Sequence, residues 1–346
     1  MGRSFSPTAE DVARLAGVSR TTVSLVLNGT PGARISATTR ARVLAAAAQL
    51  NYRPHAGARC LVRGRSDVIA LVLRQTPDQV FADAFLPKVL RGLSQVLREE
   101  GLHLLVFPLA PDHPPEAAQI LLQERRVDGL ILSGPRFEDR PWLDRWAQEA
   151  PVVLLGHLAG SDLPSVDVDN VEAAAEATRH LLALGHRRIG LITNAQLSYT
   201  ASYERWQGYR QALEEASVPY DERRVAFGAF TPASGAAAME RLLALPDPPT
   251  AVFVASDVVA FGALQALRRR GLRVPEDVAL VGFDDVPLAA YTDPPLTTVH
   301  LPAEALGQEA GRLLLQWMRE GRPPMAQIRL ATGLIIRQSC GAGGEP

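Results

Sequence analysis

Arginines gathered at one end of the chain are the first residues here whose type and spacing could do chemistry. Residues 1–66 hold ten Arg (3, 14, 20, 34, 40, 42, 53, 59, 63 and 65) against two acids, Glu10 and Asp11, a net of +8. The 346-residue chain carries −1 overall, so the remainder carries −9. Arginine neutralises phosphates and releases their counterions, so such a segment suits a polyanionic partner. Charge alone leaves a solvated basic arm equally open. Catalytic and metal chemistry find no comparable footing. The seven His (55, 103, 113, 157, 180, 186 and 300) show no metal-ligand spacing. There is no G-x-x-x-x-G-K phosphate loop, no G-x-G-x-x-G, and no recognisable nucleophile, base or metal constellation. We expect a protein without a cofactor that is not an enzyme.

The elements that must position the arginines can be read from local patterns. Thr8 precedes a segment in which Glu10 and Asp11 suit a helix start and Val12, Leu15 and Ala16 share one face. Gly17 supplies a turn and Val18 plugs a small core. Ser19 then caps a helix over Arg20–Leu27, with Val23, Val26 and Leu27 on one side. Arg20, Thr21, Ser24, Leu25 and Asn28 fall on the other side. A third helix follows Ser36, with Val43, Ala46, Ala47 and Leu50 at helical spacing. Three helices with glycine at the turn and a short polar face on the second satisfy what a major-groove reader needs. A small helical protein-interaction module is the alternative.

Asn51-Tyr52-Arg53-Pro54 comes next, then His55-Ala56-Gly57-Ala58-Arg59-Cys60-Leu61. Pro54 suits the first turn of a helix too short to be stable alone. These residues, with Asp11-Val12-Ala13, Ala16-Gly17-Val18-Ser19, Thr22-Val23-Ser24 and Leu27-Asn28-Gly29, resemble the headpiece of the LacI/GalR family of bacterial transcription regulators. The resemblance implies that the second helix lies in the major groove. It also implies that paired hinge helices of a dimer insert Leu61 as an apolar wedge into the minor groove. Double-stranded operator DNA is then the partner, and Thr8, Ser19, Arg20, Thr21, Thr22, Ser24, Leu25, Asn28, Ser36, Tyr52, Ala58, Arg59 and Leu61 are its candidate contacts. Two residues depart from the pattern. Leu25 stands where a polar residue is common, and leucine reaches a thymine methyl but cannot pair with guanine, which leaves Arg20 for that role. Gly57 weakens the short helix by up to ~1 kcal/mol.

From Asp67 onward, short apolar runs at 68–73, 102–106, 129–132, 152–155, 189–192, 251–254 and 278–282 alternate with amphipathic stretches at 88–100, 173–184, 205–216, 258–270 and 303–320. That alternation predicts parallel sheets covered on both faces, in two lobes with a ligand cleft at the strand ends. The family resemblance continues through Asp167-Val168-Asp169-Asn170, Leu184-Gly185-His186-Arg187-Arg188-Ile189, Ala255-Ser256-Asp257, Val281-Gly282-Phe283-Asp284-Asp285 and Pro294-Pro295-Leu296-Thr297-Thr298. The fold class expected is therefore an all-α helix-turn-helix headpiece with a hinge helix, followed by a two-lobed α/β domain like the periplasmic binding proteins. The expected boundaries are 1–53 for the headpiece, 54–66 for the hinge helix and linker, 67–340 for the effector-binding and dimerisation domain, and 341–346 for a flexible tail. The N-lobe is placed at about 67–164 plus 297–324 and the C-lobe at about 165–296 plus 325–340.

The resemblance implies effector contacts in the cleft. Arg205 would grip effector oxygens with its guanidinium fork, Phe230 would stack on the ligand, and Asp284 is an acid at a strand end. Ser256 stands where Asn is common, Asp257 is either a ligand or a helix cap, and Phe85 and Tyr199 are further candidates. Acids and arginine beside an aromatic wall suit a polyol, so a sugar or sugar derivative is expected first and a nucleobase or nucleoside second. The lack of a carboxy-terminal heptad segment implies a homodimer.

Composition excludes other classes. Hydrophobic residues at 47% and charged residues at 21% are ordinary globular values. No apolar run reaches the ~18 residues of a membrane helix, and the first 30 residues lack the apolar stretch of a secretory signal. Two cysteines, Cys60 and Cys340, fit a reducing compartment, so a cytoplasmic, nucleoid-associated protein is expected. A transport-type solute-binding protein would need an export signal and no basic head, and neither condition is met.

Overall fold

The computed structural model describes residues 7–28, 33–53 and 64–342. It divides into two compact units, Met1–Asp67 and Val68–Pro346.

In the first unit, α1 (Ala9–Ala16), α2 (Arg20–Leu27) and α3 (Ala37–Gln49) enclose a core of Val12, Ala13, Ala16, Val23, Val26, Val43, Ala46 and Ala47. Each helix starts on a hydroxyl cap: Thr8 Oγ1 accepts from Asp11 N, Ser19 Oγ from Thr22 N and Ser36 Oγ from Thr39 N. Gly17 ends α1 in the left-handed conformation, with φ +64°. Leu15, expected on the packed face, is 47% exposed, and Ala13 takes its place in the core. A heptad-like stripe through such a short helix admits either neighbour, and the smaller side chain fits beneath α3.

The second unit contains two six-stranded sheets. The first has the order β11-β5-β4-β3-β1-β2 and is parallel throughout, from β1 (Val68–Leu73), β2 (His103–Pro108), β3 (Gly129–Ser133), β4 (Val152–Leu155), β5 (Ser165–Val168) and β11 (Gln327–Leu330). The second has the order β12-β10-β9-β8-β6-β7, from β6 (Ile189–Thr193), β7 (Val225–Phe227), β8 (Ala251–Val254), β9 (Ala279–Asp284), β10 (Thr297–His300) and β12 (Gly333–Ile335). Only its β10–β12 pairing is antiparallel among the described residues. The covering helices are α4 (Pro77–Ala82), α5 (Leu86–Glu99), α6 (Glu116–Gln123), α7 (Arg140–Glu149), α8 (Asn170–Ala183), α9 (Thr200–Glu215), α10 (Pro232–Leu243), α11 (Asp257–Arg269) and α12 (Ala303–Glu320). Central strands such as β4 and β8 are buried along their whole length, as sheets covered on both faces require.

The chain passes between sheets three times, after Val168, after His300 and after Leu330. The lobe limits expected from sequence need correction here. Residues 165–168 and 327–330 belong to the first sheet and 297–300 to the second, because each crossing follows its strand instead of preceding it. Four-residue strands that are half polar, such as Ser165–Val168 and Gln327–Leu330, can complete either sheet, and only the pairing partner decides.

Candidate functional site

At the head, α2 presents the face expected to meet DNA. Arg20 and Thr21 are exposed, and Thr22, Ser24, Leu25 and Asn28 are half-buried. Asn28 Nδ2 donates to Ser24 Oγ at 3.1 Å, which ties the end of that face together. Thr8, Ser19 and Ser36 each hold a helix start, so their hydroxyls serve the fold before any partner. The Thr8 hydroxyl also donates to Asp11 Oδ2 at 2.7 Å and holds that carboxyl below its ordinary range. The Tyr52 ring packs against the head core. Ala58, Arg59 and Leu61, with most of the expected hinge helix, lie outside the described residues.

In the body, a cavity of about 70 Å³ lies between the lobes at the strand ends, where open α/β sheets place their ligands. Phe85, Tyr199, Arg205, Phe230, Ser256 and Asp284 all border it. Arg205 arrives there because Gly208, one turn later on α9, lets that helix lie against α8. A Cβ at Gly208 would stand 2.0 Å from the Val171 carbonyl oxygen. The 6%-exposed Arg205 then donates from Nε to Asn170 Oδ1 at 2.9 Å and from NH1 to the Ala255 carbonyl at 2.7 Å. Its guanidinium lies 3.7 Å from the centroid of the Phe283 ring and 4.0 Å from Asp284 Oδ1.

Backbone strain gathers on the same wall and at the residue next to it in the chain. Phe230, Asp284 and Asp285 have φ of +57°, +112° and +51°, values that side chains larger than glycine rarely adopt. Phe230 meets Tyr199 edge-on at 5.4 Å, and Gly134 leaves room for that tyrosine, since a Cβ there would stand 2.6 Å from Tyr199 Cε2. Burial pushes the Asp284 carboxyl up to about 7 against the opposing pull of Arg205.

Asp257 does not belong to the cavity wall. It is fully buried, its Oδ1 accepts from Thr298 Oγ1 at 2.7 Å and its Oδ2 from Val286 N at 3.0 Å. Both oxygens thus bind α11 to the loop after β9 and to β10, and the expected effector role is withdrawn. Asp285 is likewise structural, held by Arg337 at 2.7 Å and His300 at 2.9 Å. Residues that sequence reasoning passed over also border the cavity: Arg74 and Gln75 after β1, Asp83 before α5, Ser133 at the end of β3 and Asn194 after β6. Arg74, Gln75, Ser133 and Asn194 follow apolar runs at their carboxyl ends, the one signal that could have found them, whereas Asp83 lies between α4 and α5 and carries no such signal.

The lobes meet around the cleft. Phe137 N donates to the Ser198 carbonyl at 3.1 Å, Thr200 N to the Pro135 carbonyl at 3.2 Å and Lys88 Nζ to the Asp285 carbonyl at 2.9 Å. Behind Arg205, Asn170 Nδ2 donates to Glu204 Oε2, whose other oxygen pairs with His157 Nδ1 of the N-lobe at 2.8 Å. A hydrogen-bonded chain therefore runs from the cavity across the hinge. The site can grip a small polar molecule between two bodies joined by three strands of chain. A cavity of this volume has room for roughly five waters.

A basic three-helix head joined to a hinged two-lobed clamp defines a ligand-responsive DNA-binding regulator, and comparison with known proteins gives the family. Residues 8–55 match the family model described as bacterial regulatory proteins, lacI family, and residues 178–340 match the periplasmic binding protein-like domain. The chain is 39% identical over 344 residues to the HTH-type transcriptional regulator CelR of Thermobifida fusca, covering 98% of this chain and 100% of that one. It is 36% identical to the repressor CytR of Escherichia coli K12, covering 96% of each. Among solved structures, a CelR–cellobiose complex is 37% identical with a TM-score of 0.72, covering 96% of this chain and 99% of that one. A lac repressor dimer bound to operator and the anti-inducer ONPF is 28% identical with a TM-score of 0.82, covering 97% and 99%. The chain belongs to the LacI family of bacterial transcription regulators, and its relatives are regulators, not enzymes. No helix among the described residues is long and apolar enough to cross a membrane.

Proposed function

We propose that this chain is a transcriptional repressor that binds a near-palindromic operator as a homodimer and is controlled by a small molecule, a sugar or sugar derivative, held between the lobes. Arg20, Thr21, Thr22, Ser24, Leu25 and Asn28 read the major groove, and the helix starts at Thr8, Ser19 and Ser36 meet backbone phosphates. Tyr52, Ala58 and Arg59 support the hinge, and Leu61 wedges the minor groove. Phe85, Tyr199, Arg205, Phe230, Ser256 and Asp284 hold the effector. The protein acts at the nucleoid, in the cytoplasm.

The observation that carries this reading is the cavity itself, where a buried Arg205 and Asp284 from one lobe face Phe85 from the other across chain crossings that can flex. A ligand that binds one lobe arrangement better shifts the population toward it, and the bodies then move the hinge segments of a dimer together or apart. The relative solved with cellobiose supports a sugar as the ligand.

The test is selection of duplexes from a library of inverted repeats by the purified full chain. Enrichment of one palindromic sequence, bound as two chains per duplex, is expected. Enrichment of no sequence, or binding whose strength follows salt and length alone, would refute the reading.

A further inference from the structure

Of the two acids that border the cavity, Asp83 and Asp284, one has a cation beside it. Asp83 stands between α4 and α5 on the N-lobe side, where Phe85 N donates to its Oδ1 at 2.8 Å. Asp284 faces the same cavity from the C-lobe. The cationic residues bordering the cavity, among the described residues, are Arg74 and Arg205. Arg74 is committed elsewhere, its Nε and NH2 held by Asp139 at 3.2 and 3.1 Å. Arg205 donates from Nε to Asn170 and from Nη1 to the Ala255 carbonyl, and the acid beside it is Asp284. Lys88, on α5, gives its ammonium to the Asp285 carbonyl. No cation among the described residues pairs with Asp83, whose carboxyl is held by hydrogen bonds from Phe85 N, Leu86 N and Gln75.

We infer that the cleft selects by charge: it takes polyhydroxylated ligands that carry no phosphate or carboxylate, and Asp83 is the residue that sets this preference. A hydroxyl donates to a carboxylate oxygen, whereas an acidic ligand brings a further negative charge against Asp83, and the one wall cation not bound by a carboxyl outside the cavity, Arg205, already stands beside Asp284. Burial raises the Asp83 carboxyl, and the Asp83 charge in turn helps raise Asp284, as two acids sharing one enclosed space should. The inference rests on the reading of this cleft as the effector site and narrows it to a chemical class.

The experiment uses matched pairs of probes: glucose and glucose 6-phosphate, glucose and glucuronate, cellobiose and cellobionate, cytidine and cytidine monophosphate. Binding of each to the full chain is measured by calorimetry and thermal shift, in wild type and in Asp83→Asn, which keeps the Oδ1 acceptor for Phe85 N. For any pair that binds, the acidic member is expected to be about 100-fold weaker, the weight of one like charge at ~6 Å in a medium of effective dielectric ~20. Asp83→Asn is expected to close that gap by ~10-fold or more. An acidic member that binds wild type as well as its uncharged partner overturns the inference, as does a gap that Asp83→Asn leaves unchanged. If acidic members alone bind and alter operator affinity, the charge rule fails while the effector reading stands. If no probe of either kind binds, both fall together.

Discussion

Replacing Arg205 with alanine should unfold the body more readily, for reasons that can be counted from its surroundings. The change removes two hydrogen bonds from a charged donor, each worth about 1.5–3 kcal/mol, and a desolvated contact with the Phe283 ring worth about 2 kcal/mol. It also leaves Asn170 Oδ1, the Ala255 carbonyl and Asp284 without their partner. These terms overlap, and breaking one side of a buried pair typically costs about 3–5 kcal/mol in all. At about 2–4 °C per kcal/mol for a domain of this size, Tm should fall by roughly 6–20 °C. Circular dichroism melts and urea titrations of the full chain give the answer. The loss should be larger at pH 8.5 than at pH 5.5. Asp284, with a pKa near 7, is ionised and stranded at the higher pH and carries its own proton at the lower one. Arg205→Ala combined with Asp284→Asn should recover part of the stability at pH 8.5. A loss under 1 kcal/mol, or one equal at both pH values, would refute the idea that this arginine holds the C-lobe wall together. It follows that Arg205→Ala is a poor control for ligand binding alone, and Ser256 or Asn194 serves better.

Further outcomes follow from neighbouring features. Burial raises Asp284 to about 7 and Asp167 to about 6, so both bind protons more tightly in the folded body. The stability they contribute is full below the unfolded value near 4 and is lost as pH climbs through 6 and 7. Tm should therefore drop by several degrees between pH 5 and pH 8, and Asp284→Asn should flatten that decline. Gly134→Ala forces a side chain into φ +72° and against Tyr199. It should cost about 1–2 kcal/mol by melting and weaken cleft binding more than Gly101→Ala, whose new Cβ meets nothing within 4 Å. Leu61→Ala should weaken operator binding more than binding to random duplex in parallel anisotropy titrations, whereas equal losses would remove the wedge role. Arg20→Ala should cost about 1–3 kcal/mol on the operator if this arginine reads guanine, and nearly nothing on a site with that base replaced.

Much of this was legible because local rules and tertiary needs agree. The caps at Thr8, Ser19 and Ser36, the glycine turn at Gly17 and the spacing of Val23 and Val26 all describe the head that is observed. In the body, apolar strands of four to six residues and helices of thirteen or more were visible, while β5, β7, β10, β11 and β12, which are three residues long or half polar, were not. Such strands take their identity from a neighbour in the sheet, not from their own pattern, and that is why the crossings were placed a strand too early. The cleft divides in the same way. Arg205, Phe230 and Asp284 stood out through family motifs, but Gln75 and Asn194 are ordinary polar residues beside apolar runs, and Asp83 one between two helices, until the fold brings them to one cavity. Asp257 misled because an acid opening a helix beside Ser256 resembles a ligand or cap, whereas its burial beneath Gly282 and Thr298 makes it a tie.

The most direct measurement is the reciprocity between cleft and head. Operator affinity of the full chain is titrated with and without a saturating cleft ligand, and affinity for that ligand is titrated with and without operator. The two ratios must be the same number, because a coupling free energy belongs to both sites at once. A common factor of roughly 5–150, lost in a variant whose cleft no longer binds, is the expected result. A ligand that occupies the cleft yet leaves operator affinity unchanged would contradict it.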